Sequence, residues 1–539
     1  MALLLLLAAG ALGRPAAAIE AKPLGRKAAA PRCAAAPRCA CYDSADDDAP
    51  CGEAGLFGRL VDWVQRGVEA EVPAAARAGL PRVADVVALR RGWHEDRVAV
   101  ARRPVSAGEL LLRLPMGRLM HAGFFKEARH SPLAAALSAG LVGRELETFV
   151  APQTWLALFL MQQRRLGAAS EWSAYIDLLP RAFPSVPLFF GEEQWRWLEG
   201  SRFAQRVKKH MESLNRQFQT VAELVPGFNQ TYTLEDFLWA RTAISTRVFG
   251  WRLPGLSPED TDFMVPLGDM FNHRSPKQVE WVFNGTTRTL DYWAKEDVPA
   301  GGELLISYGG KCNSQYLLHY GFAVPNVSSR WPPVSTVRVA LDLDADVPDR
   351  EERERWLLDS RMHDEEGPLP AEEFELKANS FKGAGAESLL GYARLLSLPG
   401  GEEFQRRVKG RACRRFASPP RCDAPMSMEN ERAALGRCLA AVSGALAAYP
   451  TTLEEDETLL PTLSGLPHML VLLRRDEKVV LRWWRSFFAL ALEALDLSEA
   501  EVERRAEETY GRFSPEAQYL RVSLLALLAV DRAPSPARS

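Results

Sequence analysis

Residues 266–326 of this chain decide its fold and read PLGDMFNHRSPKQVEWVFNGTTRTLDYWAKEDVPAGGELLISYGGKCNSQYLLHYGFAVPN. Within this stretch, Asn272 and His273 follow an apolar run and place several hydrogen-bond donors and acceptors side by side. Such a pair either binds a small polar ligand or satisfies buried backbone groups. Both interpretations stay open when the pair is considered alone.

Two tyrosines follow in the same stretch, each at the end of a predicted element. Tyr308 ends a strand predicted over 303–308, and Tyr320 ends a helix predicted over 313–320. A tyrosine beside a glycine is usually a half-buried ring whose hydroxyl needs a partner. Only the combination of the two tyrosines with the Asn-His pair indicates a functional site.

A β-hairpin is predicted between these pieces. Runs rich in β-branched and aromatic residues cover 279–283 and 286–293, and Asn284-Gly285 joins them. That dipeptide tolerates the positive φ angles that a type I′ turn requires. The sequence therefore predicts two antiparallel strands with a type I′ turn at Asn284-Gly285.

Length and composition indicate a globular protein of two domains. The chain has 539 residues, which is too long for one compact core. Its hydrophobic content of 47% and charged content of 25% are ordinary for such proteins. The net charge of −3 gives no overall basic footprint, so nucleic acid is not an expected partner.

Periodicity predicts a mixed α/β part followed, from about residue 335, by helices. In the first part the predicted helices are 55–72, 154–166, 192–224 and 234–249, and the predicted strands are 83–89, 97–101 and 109–114. Thr233 with Asp236 is the expected N-cap of the fourth helix. In the second part a strand is predicted over 337–343 and helices over 429–449, 468–494, 498–510 and 514–530.

Residues 1–52 differ in composition from the rest. Residues 2–12 form an apolar run that is too short to span a bilayer but is typical of a signal-peptide core, and residues 16–18 (AAA) offer a cleavage motif. A basic segment without acidic residues follows, which is typical of transit peptides. The leader indicates a plastid or secretory route; if it is only a disordered extension, the protein is cytoplasmic. No other segment predicts a membrane span.

Cysteine spacing predicts no metal site. Four cysteines lie in the leader and the others are scattered, namely Cys312, Cys413, Cys422 and Cys438. This spacing is neither a disulfide framework nor a paired zinc motif. Sequons begin at Asn229, Asn284 and Asn326, and glycosylation would require entry into the secretory lumen.

The combination in 266–326 resembles the C-terminal half of a SET domain, the catalytic core of protein methyltransferases. Residues 171–180 (EWSAYIDLLP) and 239–249 (WARTAISTRVF) are similar to the subfamily that includes the Rubisco large-subunit lysine methyltransferase. Residues 430–460 and 474–478 (RRDEK) resemble its helical substrate-binding domain. Together the resemblance covers roughly residues 80–510.

The resemblance implies an α+β fold. It implies a SET domain over 53–335, with short sheets in a knot-like arrangement and a helical insert at about 118–240, followed by an all-helical substrate-binding domain over 336–539. It further implies S-adenosyl-L-methionine as methyl donor and a protein substrate that presents a lysine. The sequence indicates neither that substrate nor the oligomeric state.

The resemblance also assigns roles residue by residue. Tyr320 and Tyr308 are the implied catalytic residues, and Phe249 with Tyr308 lines the substrate channel. The implied cofactor-binding residues are Glu109, Leu110, Leu111, Arg247, Asp269, Met270, Phe271, Asn272, His273, Gly321 and Phe322.

One departure from the family pattern keeps other functions open. Where the family has Gly-x-Gly before its first cofactor strand, this chain has Asp96-Arg97-Val98, whose side chains would crowd the donor or shift the loop. An inactive protein-binding scaffold is therefore one alternative. The other is histidine methylation of actin, carried out by a relative that has asparagine at the position of Phe249 and a small residue in place of Tyr320. Both aromatic residues here favour lysine.

Overall fold

The computed structural model describes residues 53–91, 97–126, 131–142, 150–254, 261–325, 335–343, 347, 349–359, 372–378, 380–383, 385–409, 413–414 and 420–527. The predicted leader, Asp96 and the sequon at Asn326 lie outside these residues. The described residues form two compact units. The first takes its residues from Met1–Phe189, Lys208–Gly310 and His319–Gly321, and the second takes them from Phe190–Val207, Lys311–Leu318 and Phe322–Ser539.

The units do not follow a single cut in the chain. The predicted boundary near residue 335 assigned 190–207 and 311–318 to the first domain, but the structure groups both segments with the second unit. The α+β fold class is confirmed, with short sheets and a mainly helical second unit. In chain order the helical insert lies between strands Met120–His121 and Val248–Gly250.

Helices account for most of the described chain. They are α1 (Glu53–Glu71), α2 (Ala74–Arg77), α3 (Val83–Val86), α4 (Ala122–Lys126), α5 (Pro132–Leu141), α6 (Pro152–Leu166), α7 (Ser173–Ile176), α8 (Glu192–Arg196), α9 (Phe203–Leu224), α10 (Phe228–Thr231), α11 (Leu234–Ser245), α12 (Asn313–Tyr320), α13 (Arg350–Asp359), α14 (Ala386–Leu396), α15 (Gly401–Lys409), α16 (Met428–Ala447), α17 (Leu453–Leu459), α18 (Gly465–Ala494), α19 (Glu499–Tyr510) and α20 (Pro515–Gln518). A short π-helix, Tyr519–Leu524, continues α20.

The strands are short and form several small sheets. They are β1 (Val87–Arg91), β2 (Arg97–Ala101), β3 (Leu110–Pro115), β4 (Met120–His121), β5 (Val248–Gly250), β6 (Asp262–Met264), β7 (Asn272–His273), β8 (Val279–Asn284), β9 (Thr289–Ala294), β10 (Leu305–Ile306), β11 (Thr336–Leu341), β12 (Glu372–Lys377), β13 (Cys413–Arg414) and β14 (Arg421–Cys422). In the first unit the sheets are β1-β2, β3-β9-β8, β4-β6-β5 and β10-β7. All their pairs are antiparallel except β10-β7, which is parallel.

The first unit packs around apolar helix faces. The buried face of α1 carries Leu60, Val64 and Val68 at helical spacing, within the helix that the sequence predicted over 55–72. The ring of Trp63 on the same helix lies 5.4 Å from that of Trp172. Helix α6 is buried along most of its length and packs against α4 and α11.

The predicted hairpin forms, but its turn differs from the prediction. Strands β8 and β9 pair antiparallel, with Asn284 opposite Thr289 as the last pair. The positive φ of 53° falls on Arg288, not on Asn284-Gly285. The predicted type I′ turn is therefore wrong. The Asn284 side-chain oxygen accepts hydrogen bonds from the backbone N–H groups of Thr286 and Thr287, which stabilises a longer loop instead.

Two predicted helices were too long. The helix predicted over 192–224 is broken between α8 and α9, where Gly200 has a φ of 83° and the Ser201 hydroxyl accepts the N–H of Phe203. The helix predicted over 234–249 ends at Ser245, and Phe249 lies on β5. Its predicted N-cap is confirmed, because Thr233 and Asp236 form a reciprocal capping box.

The second unit is mainly helical and is crossed by a buried ionic network. Its β11-β12 and β13-β14 pairs are small, and of these strands the sequence predicted β11 alone. On α18, Arg474 and Lys478 both bind the carboxylate of Asp456 on α17, the lysine at 2.7 Å. The three side chains are at most 4% exposed, so the charges satisfy each other away from water.

The cysteine prediction needs one correction. Cys413 and Cys422, described above as scattered, form a disulfide between β13 and β14. Sequence alone gave no sign of the pair, because the two strands are only two residues long. Within the described ranges, no cluster of three or more histidine, cysteine or acidic side chains suits a metal ion. In that same part of the chain, no helix has both the length and the apolar character needed to cross a membrane.

Candidate active site

The centre of the candidate site is the short parallel pair of β7 and β10. Asn272 lies opposite Leu305, and His273 lies opposite Ile306. Tyr308 lies two residues after the end of β10, and its backbone N–H donates to Nδ1 of His273 at 3.0 Å. Because Nδ1 accepts this hydrogen bond, the proton of the neutral imidazole lies on Nε2.

The two tyrosines of the sequence prediction lie side by side in the first unit. The rings of Tyr308 and Tyr320 are stacked with centroids 5.1 Å apart and planes 26° apart. The Tyr308 hydroxyl donates to the backbone oxygen of Phe271 at 2.9 Å. Burial raises the pKa of Tyr308, against the opposing effect of the Arg247 charge. The phenol therefore keeps its proton at neutral pH.

The Asn272 side chain is tied to its surroundings by both of its N–H groups. Nδ2 donates to the Glu303 carboxylate at 2.8 Å and to the backbone oxygen of Arg97 at 3.2 Å. Both amide hydrogens are thereby used within the protein. A ligand that meets this side chain would therefore meet the acceptor Oδ1.

Arg247 and Asp269 form a second group beside the first. Nη1 of Arg247 donates to the backbone oxygen of Asp269 at 3.0 Å and lies 3.7 Å from its carboxylate Oδ1. The Met270 sulfur is 3.5 Å from the same Nη1. The other carboxylate oxygen accepts the hydroxyl hydrogen of Tyr175, from α7 of the helical insert. Burial raises the pKa of Asp269 to about 6, against the Arg247 charge and the Tyr175 hydrogen bond.

The backbone that leads into Asp269 is strained and tightly packed. Leu267 is fully buried and has a φ of 75°, a conformation that costs a branched residue about 1–3 kcal/mol. At Gly268, a Cβ atom would lie 2.3 Å from the Tyr292 hydroxyl, so this position accepts only glycine without movement. Burial raises the pKa of Tyr292, so its phenol stays neutral.

Gly321 also needs its lack of a side chain. It has a φ of 79°, and a Cβ there would lie 2.5 Å from the Ser185 hydroxyl. The chain therefore turns sharply after Tyr320 and brings the segment around Ser185 close to it. Phe322, the last of the predicted cofactor residues, belongs to the second unit, where its ring stacks on Tyr316 at 5.1 Å.

Other predicted residues lie apart from this group. Glu109, just before β3, accepts from Arg103 and from the Ser106 N–H in a surface turn. Leu110 and Leu111 begin β3, and Leu111 is buried there. The Glu109 carboxylate therefore binds only neighbouring residues of this turn. Glu109, Leu110 and Leu111 take no part in the hydrogen bonds that link Asn272, His273 and Tyr308 to their partners.

Phe249 is buried on β5 and begins a run of aromatic rings. Its ring lies 6.3 Å from Phe263 and 5.4 Å from Trp281. Trp281 in turn lies 6.2 Å from Trp251, which is 52% exposed. An aromatic path therefore leads from the buried Phe249 to the protein surface.

The departure at residues 96–98 has a partial structural explanation. Asp96 lies outside the described residues, but Arg97 and Val98 lie in β2. The Arg97 guanidinium donates to the backbone oxygen of Leu178, while its own backbone oxygen accepts from Asn272. The arginine side chain therefore has a defined place at the helical insert.

The sequence reasoning missed the residues that support this group from a distance in the chain. Tyr175 holds Asp269, Glu303 holds Asn272, and Tyr292 packs against Gly268. The motif at 171–180 included Tyr175 but gave no sign of its partner. Chemically, the group combines a guanidinium, an imidazole, a carboxamide oxygen and two phenols, which are groups that can hold a small polar ligand.

The chain is similar to several known proteins. Residues 345–481 match the family described as Rubisco LSMT substrate-binding. A chloroplastic fructose-bisphosphate aldolase-lysine N-methyltransferase of Arabidopsis thaliana is 26% identical over 431 residues, covering 76% of this chain and 80% of that protein. The actin-histidine N-methyltransferase of Mus musculus is 26% identical over 395 residues, covering 71% of this chain and 62% of that protein.

A further relative and a solved structure complete the comparison. The ribosomal lysine N-methyltransferase set10 of Schizosaccharomyces pombe is 26% identical over 203 residues, covering 38% of this chain and 36% of that protein. The matches thus span less than two thirds of the yeast and mouse proteins. The crystal structure of the SET domain of LSMT bound to lysine and AdoHcy superposes with a TM-score of 0.61 at 21% identity, covering 85% of this chain and 96% of that one. The predicted resemblance to SET-domain proteins of the Rubisco LSMT-like subfamily is confirmed.

Proposed function

We propose that this chain is a protein methyltransferase that uses S-adenosylmethionine and that its acceptor is a lysine side chain. The observation that carries the proposal is the stacked pair of Tyr308 and Tyr320 beside His273 and Asn272. The relatives named above methylate nitrogen atoms of protein side chains, which supports the reaction class.

The residues of the first unit fit the donor. Nε of Arg247 is buried, and no described residue accepts its hydrogen, so the donor's carboxylate would satisfy it. The Asn272 oxygen can accept from the donor's ammonium group, because both Nδ2 hydrogens are used elsewhere. The His273 ring, held through Nδ1 by the backbone N–H of Tyr308, would border the donor. When bound, S-adenosylmethionine supplies a sulfonium methyl group for in-line transfer.

The chain's own residues would align the acceptor and keep it uncharged. Because Tyr308 donates its hydrogen to Phe271, its oxygen would face a methyl group as an acceptor, in weak C–H···O contacts. Tyr320, stacked on it, would hold the attacking amine in line. A channel of low dielectric beside the cationic sulfonium would disfavour a second positive charge, which lowers the pKa of the lysine. No strong general base is required in this mechanism.

Lysine is favoured over histidine by the residues around Phe249. An apolar ring there packs along the methylene chain of lysine, whereas an imidazole acceptor would need a hydrogen-bonding partner at that position. The similarity to an actin-histidine enzyme keeps histidine as the second candidate. The two acceptors predict different labelled residues, so one experiment separates them.

The test uses the purified full chain, methyl-labelled donor and a cell extract, with labelled residues mapped by mass spectrometry. We expect label on lysine, lost in Tyr320→Phe and retained in the control Tyr232→Phe, whose ring lies at the end of α10. Phe249→Asn should shift label toward histidine. Label on histidine in the unmodified protein would overturn the lysine assignment.

The scaffold alternative is tested by binding alone. Calorimetry with S-adenosylmethionine should detect binding, because the Arg97 side chain has its own partner at Leu178. No binding at millimolar donor would favour an inactive protein-binding scaffold. In that case the departure at residues 96–98 would be the first place to look for the cause.

The route of the protein in the cell is a further part of the proposal. The leader-like composition of residues 1–52 and the chloroplastic relative both support delivery to a plastid. A fluorescent protein that carries residues 1–52 at its N-terminus should then reach the plastid. Retention in the cytoplasm would contradict this localisation without affecting the proposed chemistry.

A further inference from the structure

A tyrosine of the helical insert holds the most deeply buried carboxylate of the candidate site. Tyr175 is fully buried in α7, and its hydroxyl donates to Oδ2 of Asp269, whose side chain is 0% exposed. Tyr175 lies in the 171–180 segment, to which the proposed mechanism assigns no role. A buried hydroxyl aimed at a buried carboxylate fixes the position of that carboxylate.

The same carboxylate and its backbone hold Arg247. Nη1 of the arginine donates to the Asp269 backbone oxygen at 3.0 Å and lies 3.7 Å from Oδ1. Oδ1 itself is buried and receives no hydrogen bond from any described residue, so its negative charge acts on Arg247 directly. On its other side, residue 269 is backed by Gly268, which is packed against Tyr292.

We propose that Tyr175 and Asp269 are positioning residues: the phenol orients the carboxylate, and the carboxylate orients the Arg247 guanidinium toward the amino-acid end of the methyl donor. This inference rests on the proposed function, because it takes the donor's carboxylate as the ligand of Arg247. It adds that the helical insert sets donor affinity through a chain of three side chains.

These three linked side chains, Tyr175, Asp269 and Arg247, respond to pH through the charge of Asp269. The titratable groups that face this carboxyl are Tyr175, Arg247, Tyr292 and Tyr308. Burial raises the pKa of the three tyrosines, so they stay neutral, and the carboxyl of Asp269 is the group among these acids whose charge changes near pH 6. Protonation removes the attraction that holds Arg247, and affinity for a carboxylate-bearing ligand falls below a pH of about 6.

The test measures S-adenosylhomocysteine binding by calorimetry from pH 5 to 8. The matched probe is 5′-methylthioadenosine, which keeps the nucleoside but lacks the amino-acid carboxylate. In the unmodified protein, S-adenosylhomocysteine should lose about 10-fold in affinity as the pH falls below 6, whereas methylthioadenosine should not change.

Two variants complete the test. Tyr175→Phe removes a hydrogen bond that lowers the pKa of Asp269, so the midpoint of the affinity loss should move to higher pH. Asp269→Asn should weaken S-adenosylhomocysteine about 10-fold at pH 8 and abolish the pH dependence, and it serves if Tyr175→Phe does not fold. Equal losses for both probes, or an unmoved midpoint, would overturn the inference. Failure of the unmodified protein to bind either probe would instead overturn the proposed function.

Discussion

The Asp269→Asn exchange should stabilise the protein above pH 6, because the buried carboxylate is a cost to the fold. Burial raises the pKa of this group from 3.8 to about 6. A carboxyl whose pKa is higher in the folded than in the unfolded protein stabilises the fold fully at a pH below its unfolded-state pKa. This stabilisation is lost as the pH rises through about 6. Because each pH unit between 3.8 and about 6 removes about 1.36 kcal/mol, the loss is about 3 kcal/mol at pH 8.

The expected result is a change of the stability difference with pH, not one value of that difference. Relative to the unmodified protein, Asp269→Asn should gain about 3 kcal/mol in unfolding free energy between pH 4 and pH 8, followed by urea unfolding and tryptophan fluorescence. Asp456→Asn is a control whose stability difference from the unmodified protein should stay constant from pH 4 to 8. Burial alone raises the pKa of Asp456, but hydrogen bonds from Arg474 and Lys478 hold this pKa below its ordinary value. The stabilisation that the ionised Asp456 gives the folded protein should be present above pH 3.8 and lost as the pH falls.

The difference between each variant and the unmodified protein isolates the exchanged group, because the other carboxyls titrate alike in both. A stability difference for Asp269→Asn that stays constant from pH 4 to 8 would show that the carboxyl titrates normally. A difference that falls with rising pH would show that Arg247 stabilises the ionised form. Either result would refute the physical reasoning about this site.

Three further outcomes are expected. Asn272→Ala and His273→Ala should each weaken S-adenosylmethionine binding about 10- to 100-fold in calorimetry, since one or two buried hydrogen bonds are lost; unchanged affinity in both would remove them from the donor site. Arg97→Gly should not tighten donor binding, because the side chain is already held at the insert; a marked gain would show that it obstructs the donor. Asp456→Ala should lose about 3–5 kcal/mol in urea unfolding, because the buried Arg474 is left without its carboxylate, and a loss below about 1 kcal/mol would contradict the ionic network.

Elements with strong local signals could be predicted from the sequence. Strand β2 and helix α12 have the predicted bounds, and the Thr233 cap marks the beginning of α11. In each case the information lies within a few neighbouring residues, as alternation, helical spacing or a capping pair. The pairing of β7 with β10 brings Asn272, His273 and Tyr308 together, which the resemblance had implied.

Contacts between distant segments could not be predicted. Tyr175 and Asp269 are 94 residues apart, and no local pattern links a short helix to a buried aspartate. The break between α8 and α9 has a related cause. There the backbone of Gly200 lies against that of Ala448, and a Cβ at Gly200 would be 2.4 Å from its oxygen, so tertiary packing overrides the helical pattern.

The unfavourable folding free energies concentrated at residues 267–269 help to decide between the methyltransferase and the inactive protein-binding scaffold. Leu267 is strained, Gly268 is crowded by a tyrosine, and Asp269 is a buried carboxylate with one oxygen that accepts no hydrogen bond from a described residue. Each departs from the rules that stabilise an ordinary core, and such departures tend to cluster at functional sites. A scaffold that binds through its second unit has no use for these costs in the first unit. A donor site does, because strain and buried charge hold Arg247 and the adjoining β7 in one orientation.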